Sequence, residues 1–334
     1  MNRKLCVLLA AMALVQSCGQ PGEASGDAGN EAAATGAAGK AVAAVSPPFS
    51  YSGLCEASAA AVLDGNHFVV ASDDSTMLTV YRRGVAQPVT AIPRPGVTDM
   101  EGAARIGGRI FWLTSHSLTA RRENSGGEDK PRRKHLFAST VSPGPTLVTD
   151  QGSFTGLRAQ IAAALGIDEA ALMPWLNIEG LAEAPGGGLL LGLRAAPEAE
   201  QRALVLRVAN PLVSAPAEGS RPARVWRLDL GGRGVRSLER VGEGAHAYLI
   251  LAGPRTDEHA ISFALYWWDG ESETVMPGPV VPFGGMTPEA LIAWGDGEIQ
   301  ILGDNGSDDT SDPDGCQEED DPRPLRFPSL TFRL

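Results

Sequence analysis

The chain is poor in several features that would have fixed its class at once. Basic residues number 28 against 40 acidic ones, for a formal charge of −12 over 334 residues. The basic face of a general nucleic-acid binder is therefore missing, and nucleic acid is not expected as a partner. The balance suits cations, cationic surfaces or simple solubility instead. Aromatic residues make up only 6% of the chain, while the hydrophobic fraction of 43% is ordinary, so a sizeable core remains possible. Cysteine is scarce, with four residues. The apolar run Cys6–Val15 falls short of the roughly 20 residues that a spanning helix requires.

That run is preceded by Asn2-Arg3-Lys4, which together read as the basic and apolar parts of an export signal. Val15-Gln16-Ser17-Cys18 then has the form of a bacterial lipobox. Residues 1–17 are expected to be a lipoprotein signal peptide, with Cys18 as the lipidated residue that anchors the protein without spanning the bilayer. Gly19 after the cysteine points to the outer membrane, with the domain facing the periplasm. Residues 18–45 are Gly-, Ala- and Ser-rich. They lack the large side chains that offset ordering entropy and read as a flexible tether. Cys55 and Cys316 remain, and an oxidising compartment allows one bridge between them.

What is abundant is turn chemistry: 40 glycines and 24 prolines. Residues 46–334 are organised around a unit that recurs five times: an opening charge, a strand, a tight turn, a returning strand and a polar cluster. The clearest copy runs Asp99-Met-Glu101-Gly, turns at Gly107-Gly108 and returns through Arg109–Leu113 to Ser115-His116-Ser117. Glu56 leads likewise to Asp73, Glu179 to Arg194 and Glu289 to Asp304. In the fourth copy Arg236 stands in the glutamate's place and leads to Gly253-Pro254-Arg255. Self-similarity of this kind marks a repeat architecture, here an all-β, five-bladed β-propeller.

Four strands can be assigned to each of four blades. First strands are expected at Ala57–Leu63, Gly102–Ile106, Gly180–Ala184, Ser237–Val241 and Ala290–Trp294. Second strands are expected at His67–Ala71, Arg109–Thr114, Leu189–Leu193, Ala247–Ala252 and Glu298–Leu302, and the outer strand of blade four at Glu273–Val280. Blade five ends one strand short, after Ser329–Leu334. Pro48–Ser52, ahead of the first strand, is available to complete it and would remove two exposed sheet edges. Six blades is the alternative, if 152–175 hides a degenerate one. That stretch reads instead as one short inserted helix, with Leu157, Ile161 and Leu165 on one face and Gly166 as its stop.

If each opening charge starts an innermost strand, the second strand brings the chain back to the same end of the ring. Glu56, Glu101, Glu179, Arg236 and Glu289 then share a rim with Asp73, His116, Arg194, Arg255 and Asp304. Two uses are open to the acids. They can bond backbone N–H groups of the neighbouring blade and hold the ring shut, or they can receive a ligand. Glu56, Asp73, Glu101, Glu179, Arg194, Arg236 and Arg255 are the candidate ligand-binding residues. Crowded carboxylates raise one another's pKa unless a guanidinium or a cation intervenes, and Ca²⁺ with oxygen ligands fits that role. Glu101, Glu179, Glu289 and Asp304 are the candidate metal ligands. His116 is the candidate general acid or base. The acidic loop from Asp304 to Gly315 has a hard-cation composition without EF-hand spacing. Arg121-Arg122 and Lys130–Lys134 read as an exposed mixed-charge loop beside the rim.

Through Asp99-Met-Glu-Gly, Thr114-Ser-His-Ser, Asn177-Ile-Glu-Gly-Leu, Gly192-Leu-Arg, Ala203-Leu-Val-Leu-Arg, Gly232-Arg-Gly-Val-Arg236 and Tyr266-Trp-Trp, residues 53–334 resemble a bacterial family catalogued as domain of unknown function 3616. The resemblance implies a propeller-like fold and an exported location, and it supplies no catalytic residues. A looser similarity, in the Asp/Asn-x-Glu-Gly openings at Glu101 and Glu179, is to the esterase-like phytase propellers, which would imply calcium-assisted phosphoester hydrolysis. Glu56, Arg236 and Glu289 depart from that pattern. The expected function is thus a monomeric envelope lipoprotein that binds a small-molecule or polymer ligand, anionic or cation-bridged, at the blade-start face. A divalent-metal-dependent phosphoesterase and a protein-interaction scaffold around the inserted helix are the alternatives.

Overall fold

The computed structural model describes residues 45–119, 127–150, 152–212, 223–256, 260–304 and 325–334. The strands of the described residues form five antiparallel sheets of four. Strand β1 (Phe49–Ser52) comes first in the chain and belongs to the last blade. Blade one is β2 (Ala59–Val62), β3 (His67–Ala71), β4 (Met77–Arg82) and β5 (Pro88–Pro93). Blade two is β6 (Met100–Ile106), β7 (Arg109–Thr114), β8 (Leu136–Ser142) and β9 (Thr146–Thr149). Blade three is β10 (Ile178–Glu183), β11 (Leu189–Leu193), β12 (Ala203–Val208) and β13 (Arg224–Leu228). Blade four is β14 (Gly234–Arg240), β15 (Tyr248–Gly253), β16 (Ala264–Trp268) and β17 (Val275–Pro277). Blade five is β18 (Thr287–Ala293), β19 (Glu298–Asp304) and β20 (Arg326–Arg333), completed by β1 in the order β1-β20-β19-β18.

The first strands of successive blades touch in a closed circle, β2 to β6, β10, β14, β18 and back to β2. The fold is therefore the five-bladed propeller that the repeats imply. Its closure is the expected one: Tyr51 pairs with Phe327 and Phe49 with Ser329 across β1 and β20. Val45 adds an isolated bridge to Phe332. The ends of the domain thus meet within one sheet, and the outer edge of β20 is paired by the start of the chain's own domain.

Each sheet is covered on both faces by its neighbours, so the second strands are continuous apolar runs such as Phe68-Val69-Val70-Ala71 and Tyr248-Leu249-Ile250-Leu251. Alternate side chains of such a strand enter different seams, because neighbours in a strand point to opposite faces. Phe68 and Val70 pack toward blade five, while Val69 and Ala71 pack toward blade two. Five buried apolar clusters result, one per seam. The closing seam is aromatic: Tyr51 stacks on Phe327 at 5.3 Å and meets Phe68 and Tyr81 edge-on.

The stretch before blade three is no sixth blade. It holds helix α1 (Leu157–Leu165), closed by Gly166 at φ 69° with its N–H on the carbonyls of Ala162 and Ala163. Leu157 and Ile161 bury into the seam of blades two and three, as their i, i+4 spacing requires. Cys55 is disulfide-bonded, while its expected partner Cys316 and the acidic loop beyond Asp304 lie outside the described residues, as do the signal-like start, Cys18, and Arg121-Arg122. No helix of the described residues is long and apolar enough to cross a membrane.

Two strand expectations need correction. Pairing in β6, β10, β14 and β18 begins two or three residues earlier than the apolar pattern suggested, taking in the charged residue. The outer strand of blade four is only Val275–Pro277, and Pro277 at its end offers no N–H to the ladder.

Candidate functional site

The opening charges are placed by a local device repeated in four blades. The register between first and second strand shifts at Met100/Gly102, Ile178/Gly180, Val235/Ser237 and Pro288/Ala290. The residue inside each shift is Glu101, Glu179, Arg236 or Glu289. An extra residue in one strand bends it and re-aims a side chain out of the pleat. Each bulge therefore turns its charge toward the axis while the flanking residues stay in the sheet. The sequence signature is an apolar residue, the charge, then a residue as small as Gly, Ser or Ala. The small residue is demanded by packing. A Cβ on Gly180 would stand 2.9 Å from Val235 Cγ1 and 3.1 Å from Leu238 Cβ of the next blade. Blade one lacks the bulge, and Glu56 lies ahead of β2.

The rim is electrically divided. On the side of blades three, four and five, Arg236 is 5% exposed and lies between two acids. Its Nε is 3.1 Å from Glu179 Oε2, its Nη1 donates to Glu179 Oε1 at 3.4 Å, and its Nη2 donates to Glu289 Oε1. Arg194 completes the set, donating from Nη1 to Glu179 at 3.2 Å and from Nε to the Pro254 carbonyl at 3.2 Å. Asn177 also donates to Glu179. Burial raises the Glu289 carboxyl to about 7 against the opposing pull of Arg236, with Glu179 and Asp304 adding to the rise. Two carboxylates thus meet two guanidinium groups, and three blades are tied together by side-chain ion pairs rather than by backbone N–H groups.

On the side of blades one and two the acids are in excess. Glu56 accepts from Ser72 Oγ at 2.7 Å and from the backbone N–H groups of Asp73 and Asp74, all in its own blade. Burial, then Glu289, lifts its carboxyl to about 8. Asp99 sits at φ 65°, a left-handed conformation that Asp tolerates. It accepts from Ser115 Oγ and pairs with Arg133. Burial raises it to about 7 against Arg133. One oxygen each of Asp73, Asp99 and Glu101 lie within 4.8 Å of one another, and Glu56, Asp73 and Asp74 form a second such group. Asp73 Oδ1 is buried and has no hydrogen-bond partner. Among the described residues the Glu101 side chain makes no hydrogen bond or salt bridge, and Arg236 acts on it only through its field. Burial first, then Glu179 and Asp99, hold its carboxyl well above the usual range.

The expected residues are thus distributed unevenly. Glu101, Glu179, Glu289 and Asp304 do not form one close ligand group, since Arg236 stands between Glu179 and Glu289; Asp73, Asp99 and Glu101 do. Arg255 is turned away from that group, with its guanidinium on the carbonyls of Glu200 and Gln201 at 2.6 Å each. His116 is fully buried at φ 57°, its carbonyl gripped by Arg158 of α1 at 3.1 and 2.6 Å. Neither ring nitrogen has a hydrogen-bond partner; the His135 backbone is close without that geometry. Burial, then Arg158, pushes the imidazole down to about 3. Burial thus keeps the ring uncharged at neutral pH. Sequence reasoning passed over Asp99 as a site residue and missed Arg133 altogether. Asp99 was visible two residues before Glu101. Arg133 had no signal beyond the basic run Lys130–Lys134, which folds into a short 3₁₀ turn at Pro131–Arg133 and carries one guanidinium back to the rim.

At the other end of the strands, a cleft of about 430 Å³ lies among the hairpin turns, lined by Val62, Asp64, Arg83, Arg105, Trp294 and Asp296. Arg83 covers the Trp294 ring at 4.5 Å and pairs with Asp296 at 3.1 Å.

No protein-family model matches the sequence, and no curated protein matches it. Among solved structures the chain is similar to glutaminyl cyclase of Myxococcus xanthus, at 12% identity and a TM-score of 0.44, over 87% of this chain and 97% of that one. It is similar to the PQQ-bound aldose sugar dehydrogenase of Streptomyces coelicolor, at 11% identity and a TM-score of 0.42, over 85% and 98%. The two have different activities, and neither passes one to this chain.

Proposed function

We propose that the protein is a binding propeller that receives a hard cation at the blade-one and blade-two side of its rim. The cation is bound alone or as the bridge that holds an anionic ligand of the cell envelope. The observation that carries this reading is the group formed by Asp73, Asp99 and Glu101, in which, among the described residues, a buried Asp73 oxygen has no donor and no donor reaches the Glu101 carboxylate. Five carboxylates gather here, of which Asp99 alone is ion-paired among the described residues, to Arg133, while Arg236 acts on Glu101 only through its field. Carboxylates this close cannot all ionise unless a positive charge joins them. The donors are all oxygens, which favours Ca²⁺ over softer metals. Direct anion capture by Arg194 and Arg236 has less support, because Glu179 and Glu289 occupy both.

Binding is favoured over turnover for two reasons. A phosphoesterase using Glu101, Glu179 and Glu289 as ligands loses two of them to Arg236, and burial makes His116 a weak base near neutrality. The lipobox-like Val15–Cys18 would place this rim on a tether in the periplasm, and metabolic labelling with palmitate, lost in Cys18→Ser, tests that part. Calorimetric titration with Ca²⁺ tests the site itself. The wild type should bind, and Asp73→Asn and Glu101→Gln should each weaken binding at least about tenfold, since affinity follows ligand charge. A wild type that binds no Ca²⁺, or variants that bind equally well, rejects the site.

A further inference from the structure

Arg236 breaks the repeat, and the break is built into the packing around it. It occupies the bulge position that Glu101, Glu179 and Glu289 occupy in blades two, three and five. Its side chain is 5% exposed, beside Glu179 at 4% and Glu289 at 14%. Room for its stem is made by Gly253 of the adjoining strand, where a Cβ would stand 3.0 Å from Arg236 Cγ. The head then meets both neighbours at once, with one hydrogen bond to each and its Nε 3.1 Å from Glu179 Oε2. A guanidinium presents several donors in a fixed plane, which suits two carboxylates on either side of it.

We infer that Arg236 is a tethered cation that decides which half of the rim takes the external one. It neutralises Glu179 and Glu289 from within, so that exogenous cations are confined to Asp73, Asp99 and Glu101. The inference rests on reading the rim as a cation receiver and assigns its specificity to one residue in a blade that does not touch the ligand. An ordinary structural salt bridge would predict that removing Arg236 costs stability and nothing else. A tethered cation predicts in addition that its removal opens a place for an external one.

The experiment is Ca²⁺ titration by calorimetry on the full chain, with Arg236→Gln, Arg236→Lys and the double variant Arg236→Gln with Glu289→Gln. Arg236→Gln should bind one more equivalent of Ca²⁺ than the wild type. The added equivalent should be absent in Arg236→Lys, which restores a tethered charge, and lost again in the double variant. Arg236→Gln that folds and binds no more Ca²⁺ than the wild type overturns the inference. If Arg236→Gln folds poorly in chelator, Ca²⁺ should restore its circular dichroism and raise its melting temperature more than that of the wild type. Failure of Ca²⁺ to do so also overturns it. A wild type that binds none while Arg236→Gln binds one would reject the proposed function and the confinement to Asp73, Asp99 and Glu101, and would leave standing only that Arg236 is a tethered cation.

Discussion

Glu239 offers a quantitative test of how the ring is packed. It lies near the far end of β14, and among the described residues its side chain takes one hydrogen bond, from the backbone N–H of Ala293 in the next blade, at 3.4 Å. Burial raises its carboxyl from an ordinary 4.5 to about 8. Between those two values the folded protein holds a proton that the unfolded chain has released. The contribution to stability is therefore complete below about pH 4.5 and is lost as pH rises through about 8. A gap of that size at about 1.4 kcal/mol per pKa unit gives an upper bound of about 5 kcal/mol, and solvent reaching the half-buried side chain reduces it to about 3 kcal/mol. Glu239→Gln keeps an acceptor for the Ala293 N–H and cannot ionise. Urea unfolding of both proteins at about pH 5 and about pH 8.5 should show near-equal stability at the lower pH. At the higher pH the variant should be the more stable by about 3 kcal/mol. Equal differences at the two pH values, or a variant weakened at the higher one, would refute the placement of this carboxyl.

Other predictions follow from single contacts. Tyr51→Ala removes the ring at the closing seam and the hydroxyl that accepts from Gly84 N and Gln300 Nε2; urea unfolding should show a loss of about 3–5 kcal/mol. Gly180→Ala forces a Cβ against Val235 and Leu238 and should cost about 1–3 kcal/mol by the same assay. The ring protons of His116 should keep the chemical shifts of neutral imidazole from about pH 8 to about pH 4. The unfolded chain takes up that proton at its ordinary value, so the buried ring withdraws stability as pH falls below about 6.5, opposite in sign to Glu239.

The architecture was legible because every blade must bury both faces. That need writes continuous apolar second strands into the sequence, and β3, β7 and β11 fall where the pattern put them. The closing strand was legible by counting, since blade five lacked a partner that Phe49–Ser52 supplies. Helix α1 matched its apolar spacing residue for residue. First-strand starts were less legible, because an apolar pattern stops at a charge whereas a bulge carries the pairing past it. The rim was legible as a set of positions and not as a set of contacts. Nothing in the spacing told which guanidinium groups would be taken up by neighbouring acids. Arg236 turned inward onto Glu179 and Glu289, and Arg255 outward onto a carbonyl pair. Arg133 reached the rim from a loop whose composition marked it as solvated surface.

The division of the rim has a simple physical origin. Four bulged positions and one unbulged one share the rim, several of them buried, and like charges there must be compensated. Blade four supplies compensation covalently, through Arg236. On the proposed reading, blades one and two leave it to an external cation. The address of that cation is read most directly from anomalous diffraction of crystals soaked in Tb³⁺ as a stand-in for Ca²⁺. A peak bounded by Asp73, Asp99 and Glu101, absent in Glu101→Gln crystals, is the predicted result. A peak between Glu179 and Glu289, or a rim without one while the ion sits elsewhere on the protein, would contradict it.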